Sequence, residues 1–283
     1  MLTRLTPHMV EKPWGRDDLA PPFVDAHAGE PRRIGELWYQ SSSELVNDPL
    51  LIKYLFTSEK LSVQVHPDDA AARARGQRCG KAECWYVIQA EPDAVLGLGL
   101  KSPISPEELR EASLSGVVEH MIDWKPTRAG DIWYVAPGTI HAIGPGLTLI
   151  EVQQNIDITY RLYDYGRPRE LHLDDAIAVA SPGPYAMANH GDYLSQDPLI
   201  RHWPHFGLAL AHDAEQVREL ASTMVTDSYW APINGPAEID GQTLHHGQVY
   251  RREAHSALAS VALDPATTML LAWPRSLDSG AAS

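Results

Sequence analysis

The chain has 283 residues, 37 acidic against 23 basic side chains and a formal net charge of −14. That charge excludes nucleic acid as an expected partner, because a phosphate backbone needs a basic surface, while a single phosphorylated sugar needs only a few local cations. A composition of 44% hydrophobic and 21% charged residues is that of a soluble globular protein. No apolar run is long enough for a membrane helix, and the N-terminal stretch lacks an apolar leader, so the expected compartment is the cytoplasm. The two cysteines, Cys79 and Cys84, point the same way, to a reduced compartment.

In chain order, Lys12-Pro13-Trp14-Gly15 reads as a turn, followed by a Pro-Pro loop and the short aromatic strand Gly35-Glu36-Leu37-Trp38. Residues 41–49 form a polar loop. The apolar run LLIKYLF at Leu50–Phe56 suits a buried strand or a short helical piece.

Residues 61–66, LSVQVH, alternate apolar and polar, so a strand here puts Leu61, Val63 and Val65 on one face and Ser62, Gln64 and His66 on the other. Pro67 ends it, and a short helical turn opens with acids at its positive end. After Gly80 a second strand begins, with Lys81, Glu83 and Trp85 on a common face and Cys84 turned away as a small buried apolar residue. Two adjacent strands thus aim Gln64, His66 and Glu83 into one interior. Residues 130–144, GDIWYVAPGTIHAIG, add an aromatic strand, a Pro-Gly turn and His141. Two nitrogen and two oxygen donors from Gln64, His66, Glu83 and His141 suit zinc, with manganese, iron or cobalt compatible with the same set. Lys81 lies beside this set, and a nearby dication is expected to lower its pKa.

Val95–Leu100, VLGLGL, reads as a strand with close backbone packing rather than a nucleotide loop, since no third glycine and helix follow. Ser105-Pro106-Glu107-Glu108 is a helix start, and the helix stops near Gly116. Residues 117–124 and 130–135 return to strand character. Residues 147–163 read as one strand with Glu151, Gln153, Asp157, Thr159 and Arg161 on a shared face, provided that Asn155 does not bulge it. Residues 172–180 are helical in composition. A loop follows from 181, with a domain boundary near 195. Residues 200–283 carry short strands between turns, with a hairpin at Asp240-Gly241 and a disordered tail at the end. Four histidines there, His202, His205, His245 and His246, lack a matching carboxylate and give no second metal site.

QVHPDD, GKAECWYV, APGTIHAIGPG and EVQQNIDITYRLYDYGR, in that order, resemble the successive signatures of the mannose-6-phosphate isomerases in their shorter bacterial form. With Lys12-Pro13-Trp14-Gly15 at one end and Arg167 at the other, the resemblance covers more than half the chain. It implies a mainly β fold: a cupin jelly-roll barrel with helical insertions in residues 1–195, and a smaller, degenerate cupin-like β domain without its own site in 196–283. Glutamine at position 64, where most cupins have histidine, is typical of this family. The resemblance also implies one zinc ion per chain on Gln64, His66, Glu83 and His141, and a sugar phosphate that isomerises by proton transfer through a cis-enediolate. Arg161 and Asp157 match the family's Asp-x-x-x-Arg pair. Glu151 matches an acid near the site, and Lys81, Glu151 and Asp157 all stand as candidates for the base. A non-catalytic sugar-phosphate-binding cupin and an iron dioxygenase are the alternatives. Neither the phosphate-binding residues nor the oligomeric state can be read from the sequence.

Overall fold

The computed structural model describes residues 2–23, 32–41, 48–186 and 199–275. The domain boundary expected near 195, the C-terminal tail and most of the loop at 41–49 lie outside the described residues.

Two antiparallel sheets face each other to form the first unit. One has the strand order β2 (Thr6–Arg16), β3 (Ile34–Gln40), β4 (Leu50–Phe56), β11 (Leu147–Gln154), β6 (Glu83–Ala90) and β9 (Ile132–Val135). The other runs β12 (Tyr160–Tyr163), β5 (Val63–Val65), β10 (His141–Ile143), β7 (Val95–Leu100) and β8 (Ile122–Pro126). The second unit repeats the scheme with fewer residues. A six-stranded sheet of β1 (Leu2–Arg4), β18 (Tyr250–Arg252), β15 (Ser228–Ile233), β20 (Thr268–Pro274), β14 (Phe206–Ala211) and β13 (Leu199–His202) accompanies a three-stranded one of β17 (Gln242–Leu244), β16 (Ala237–Ile239) and β19 (Val261–Leu263). The fold is the expected mainly β, cupin-type pair of units. However, the N-terminal strand β1 pairs with β18, so the chain begins in the second unit before building the first.

Helices sit outside the strands. α1 (Asp69–Ala74) follows β5, and Asp68 caps it by accepting from the Ala71 amide at 2.7 Å. α2 (Pro106–Ser115) has the expected start, a reciprocal capping box between Ser105 and Glu108, and ends at Gly116 with φ 79°. Together with α3 (Val118–Met121) and α4 (Leu173–Val179), it covers the outer face of the β5-containing sheet. Val63, Val65, Leu100, Leu109, Val118, Ala142, Leu162 and Ala176 form one core there. The strand expected at 117–124 is therefore half helix, because burying Val118 under α2 takes a helical turn before β8 can begin at Ile122.

Apart from its exposed edge strand β2, the six-stranded sheet of the first unit is largely buried on both faces. Its front packs Leu55, Trp85, Val87, Trp133 and Leu149 against Leu96, Leu98 and Ile143 of the facing sheet. Its back packs Leu50, Ile52, Tyr54, Cys84, Tyr86, Tyr134 and Val152 against Leu199, Phe206, Leu208, Tyr229 and Leu270 of the second unit. The two units thus share one hydrophobic core. A strand buried on both faces loses the alternation of a half-exposed one, which is why Leu50–Phe56 reads as a plain apolar run.

Further departures from the sequence expectation have local causes. Lys12-Pro13-Trp14-Gly15 is no turn but part of β2, an edge strand where proline costs no ladder bond. A Cβ on Gly15 would come within 2.6 Å of the Gly35 backbone. The single strand expected over 147–163 breaks after Gln154. The Gln153 amide donates to the Gln154 and Ile156 carbonyls, and Asn155 bonds the 48–49 backbone, which turns the chain from one sheet to the other. Ser181 and Pro184 make bridges to Thr139 and Gly99, so the loop from 181 is laid against the barrel at its start. The hairpin at Asp240-Gly241 is as expected, with both φ values positive. Sequence reasoning missed one helix, α5 (Ala214–Thr223), although its signals are plain: Asp213 accepts from the Gln216 amide, and Val217, Leu220 and Ala221 share a face.

Candidate metal centre

Strand register brings the candidate residues together. His141 of β10 lies directly opposite Gln64 of β5, and Arg161 of β12 lies opposite Gln64 on its other side. With Val63 and Val65 packed outward under the helices, Gln64 and His66 turn inward. Glu83, at the start of β6, reaches them from the facing sheet rather than from an adjacent strand as expected. The Pro137-Gly138 turn is tied in as well, since the Gly138 amide, at φ 84°, donates to the His66 carbonyl at 2.8 Å.

One ligand atom from each of His66, Glu83 and His141 lies within 4.8 Å of the others, and all three residues are buried. Each imidazole presents Nε2 to Glu83 at 3.4 Å, one to each carboxylate oxygen. His141 is fixed in the required tautomer, because its Nδ1–H donates to the Thr139 carbonyl at 2.9 Å and leaves the Nε2 lone pair facing inward. Gln64 completes the rim with its amide Nε2 3.2 Å from His141 Nε2, while its Oε1 accepts from Ser62 Oγ at 3.3 Å.

The electrostatics suit a cation. Burial, then the neighbouring Lys81, push His66 down to about 3, and burial lowers His141 also. Both rings are therefore neutral at ordinary pH, the form that ligates metals. Burial opposes the charge on Glu83, but Lys81 and the two imidazoles hold its carboxyl well below the usual range. Apart from the Lys81 ammonium 3.1 Å from Oε2, neither Glu83 oxygen has a donor among the described residues. A buried, ionised carboxylate with unfilled acceptor sites between two neutral imidazoles is a donor set that fits a divalent ion.

Lys81 Nζ lies 3.1 Å from Glu83 and 3.3 Å from His66 Nε2. Burial opposes its charge, but Glu83 and Glu151 outweigh burial and hold the ammonium above its ordinary value. Glu151 is buried next door in β11. It accepts from Trp85 Nε1 at 3.1 Å and pairs with Lys53 Nζ at 3.3 Å, and burial followed by Glu83 raises its pKa. Arg161 donates through Nη1 to the Glu170 carbonyl at 2.7 Å, while its Nε has no partner among the described residues. Asp157 is not brought to the cluster: it is exposed in the irregular segment between β11 and β12, where the expected shared face no longer exists.

The residue that sequence reasoning missed is Lys53. It lies in one lateral row across the sheet, Trp38–Lys53–Glu151–Trp85–Trp133, set by the strand registers. Its ammonium sits 4.5 Å over the Trp38 ring. Glu36, also buried, pairs with Lys12 at 3.5 Å. The signal was available: one charged residue in the middle of LLIKYLF needs a buried counter-charge. Among the described residues this is the one such cluster of histidine, cysteine and carboxylate side chains, and the C-terminal histidines form none.

No helix of the described residues is long and apolar enough to cross a membrane. No family model matches the chain. A mannose-6-phosphate isomerase of Streptococcus mutans is 43% identical over 159 residues, which span 54% of this chain and 49% of that protein. A provisionally named mannose-6-phosphate isomerase of Bacillus subtilis is 34% identical over 214 residues, spanning 62% of this chain and 67% of that protein. The chain spans about half the length of the first curated relatives it matches. The crystal structure of the mannose 6-phosphate isomerase from Bacillus subtilis superposes with a TM-score of 0.73 at 24% identity, covering 96% of this chain and 99% of that one. With the barrel pair, the ordered signatures and these likenesses in agreement, the chain belongs to the mannose-6-phosphate isomerase family.

Proposed function

We propose that the chain interconverts mannose 6-phosphate and fructose 6-phosphate in the cytoplasm, with one zinc ion held by Gln64, His66, Glu83 and His141. The observation that carries this is the buried Glu83 carboxylate, whose two oxygens each face the Nε2 of a neutral imidazole inside a barrel whose relatives are named for the reaction. Gln64 joins the set once its amide turns over and offers Oε1 in place of Nε2. When bound, the ion supplies a Lewis acid for the sugar oxygens.

The remaining work falls to the chain's own side chains. Isomerisation moves a proton between C1 and C2 of the open-chain sugar, so it needs a proton carrier and positive charge near the oxygens. Glu151, with its pKa raised, and Lys81 face the same interior and are the two proton-carrying groups of the proposal. Arg161, whose Nε is unpaired beside Gln64, braces the oxygens as negative charge develops. Asp157, exposed at the solvent edge, carries no proton-transfer role here. Residues 1–195 less β1 hold this chemistry, and the C-terminal unit supports it from behind.

The test is turnover of purified protein, stripped of metal and reloaded with zinc, manganese, cobalt or iron. Conversion of mannose 6-phosphate with solvent deuterium entering C1 or C2 is the expected result. No turnover with any of these ions, or oxygen uptake with ferrous iron instead, overturns the proposal.

A further inference from the structure

The second unit has a cavity of its own, about 420 Å³, between α5 and the segment after β18. Its walls carry Arg218 and Ser222 from the helix, and Arg252, His255 and Ser256 from the segment. No aspartate or glutamate is among its described lining residues. In a chain of net charge −14, a concave surface with two arginines, a histidine and two hydroxyls and no acid is a local reversal of sign.

Arg252 gives this reversal its direction. It is 2% exposed, on the inward face of β18, with its guanidinium 5.5 Å from the Trp230 ring. Nη2 donates to the Ser256 carbonyl, but Nε and Nη1 have no hydrogen-bond partner among the described residues. The carboxylate that acts on it through space, Asp240, has Oδ1 taken by the Ala259 and Ser260 amides at 2.7 and 2.8 Å. A buried guanidinium left with two open donors is unfavourable unless something accepts from them. Arginine's planar fork matches the spacing of two oxygens on one phosphoryl or carboxylate group.

We propose that this cavity is a binding site for a small phosphorylated ligand, anchored by Arg252 and closed by Arg218, His255 and the serine hydroxyls. The site lies in the unit whose described residues hold no candidate metal cluster, and it rests on none of the roles proposed for the first barrel.

The test is calorimetric titration of the full-length protein at constant ionic strength, with inorganic phosphate and glycerol phosphate titrated separately to distinguish the free anion from a monoester. Saturable binding of either is expected, weakened about tenfold or more by Arg218→Glu and lost in Arg252→Gln, with isomerase turnover unchanged in Arg218→Glu. Because Arg218 is exposed, that variant tests the site even if Arg252→Gln does not fold. Absence of binding overturns the proposal. So does binding that neither variant alters, which would place the phosphate in the first barrel.

Discussion

The two units are built from the same parts, an antiparallel sheet facing another, yet they fill their interiors differently. Inside the first barrel stand Glu83, Lys81, His66, His141, Glu151 and Lys53, a set of buried charges and imidazoles paired with one another. Inside the second stand Ala209, Ala211, Trp230, Tyr250, Met269 and Leu271, packed as an ordinary core, with charge confined to the cavity at its edge. Backbone architecture is therefore indifferent to the chemistry, which follows from the residues that the strand period turns inward. The first barrel holds groups that oppose burial and are kept there by their neighbours; the second holds groups that drive it.

The sharpest way to break this contrast is His141→Ala. Metal content should fall to background, and isomerase turnover should drop by more than the roughly 10–100-fold commanded by groups that only support a metal ligand, with circular dichroism unchanged. Retention of both metal and turnover would remove the centre from this site. Next come two substitutions of similar cost in stability and opposite meaning. Lys53→Met leaves Glu151 buried without its partner and should cost about 3–5 kcal/mol in urea unfolding, part of it restored by adding Glu151→Gln. Trp230→Ala should cost about 3–5 kcal/mol through a cavity, while metal content and turnover of the folded fraction stay at the parent level. If Trp230→Ala instead strips the metal, the units are not distinct in role. Smaller again, Arg161→Lys keeps the charge and loses the fork, so metal content should hold while kcat falls by about 10–100-fold.

The site was more legible than the scaffold around it. The inward faces of Gln64, His66 and Glu83 could be read because a strand period of two needs only a few residues of alternation to declare a face. Even so, the sequence could not say that Glu83 comes from the opposite sheet, since parity is blind to which strands pair. The shared face expected to include Asp157 is absent for a related reason: parity holds only while the strand lasts, and the Gln153 and Asn155 side chains end it. Lys53 was visible as a lone charge in an apolar run, but a strand buried on both faces carries no alternation to say which face it shares, and so its link to Glu151 went unread. The shared core and the β1–β18 pairing lay beyond reach altogether, since they join segments remote in sequence, Leu2 with Arg252 in the second case, and leave no periodic trace.

The smallest effect concerns acid. Burial holds His202, His205 and His246 below the ordinary imidazole value. Between those lowered values and about 6.5, the unfolded chain binds more protons than the folded one, so stability should decline as pH falls below about 6.5. His246→Leu should flatten that decline slightly, measured as Tm against pH; a steeper decline would show that His246 is stabilised when charged.

The shared core has a consequence for biosynthesis. The back of the first barrel's large sheet, with Ile52, Tyr54, Cys84 and Val152, is covered by Phe206, Leu208, Tyr229 and Leu270. Among the described residues β1 pairs with Tyr250–Arg252. At about 5–20 residues per second, that apolar sheet stays open for on the order of ten seconds after its last strand emerges. Throughout that interval the nascent barrel displays an uncovered apolar face, while β1 waits for a partner about 250 residues further along the chain.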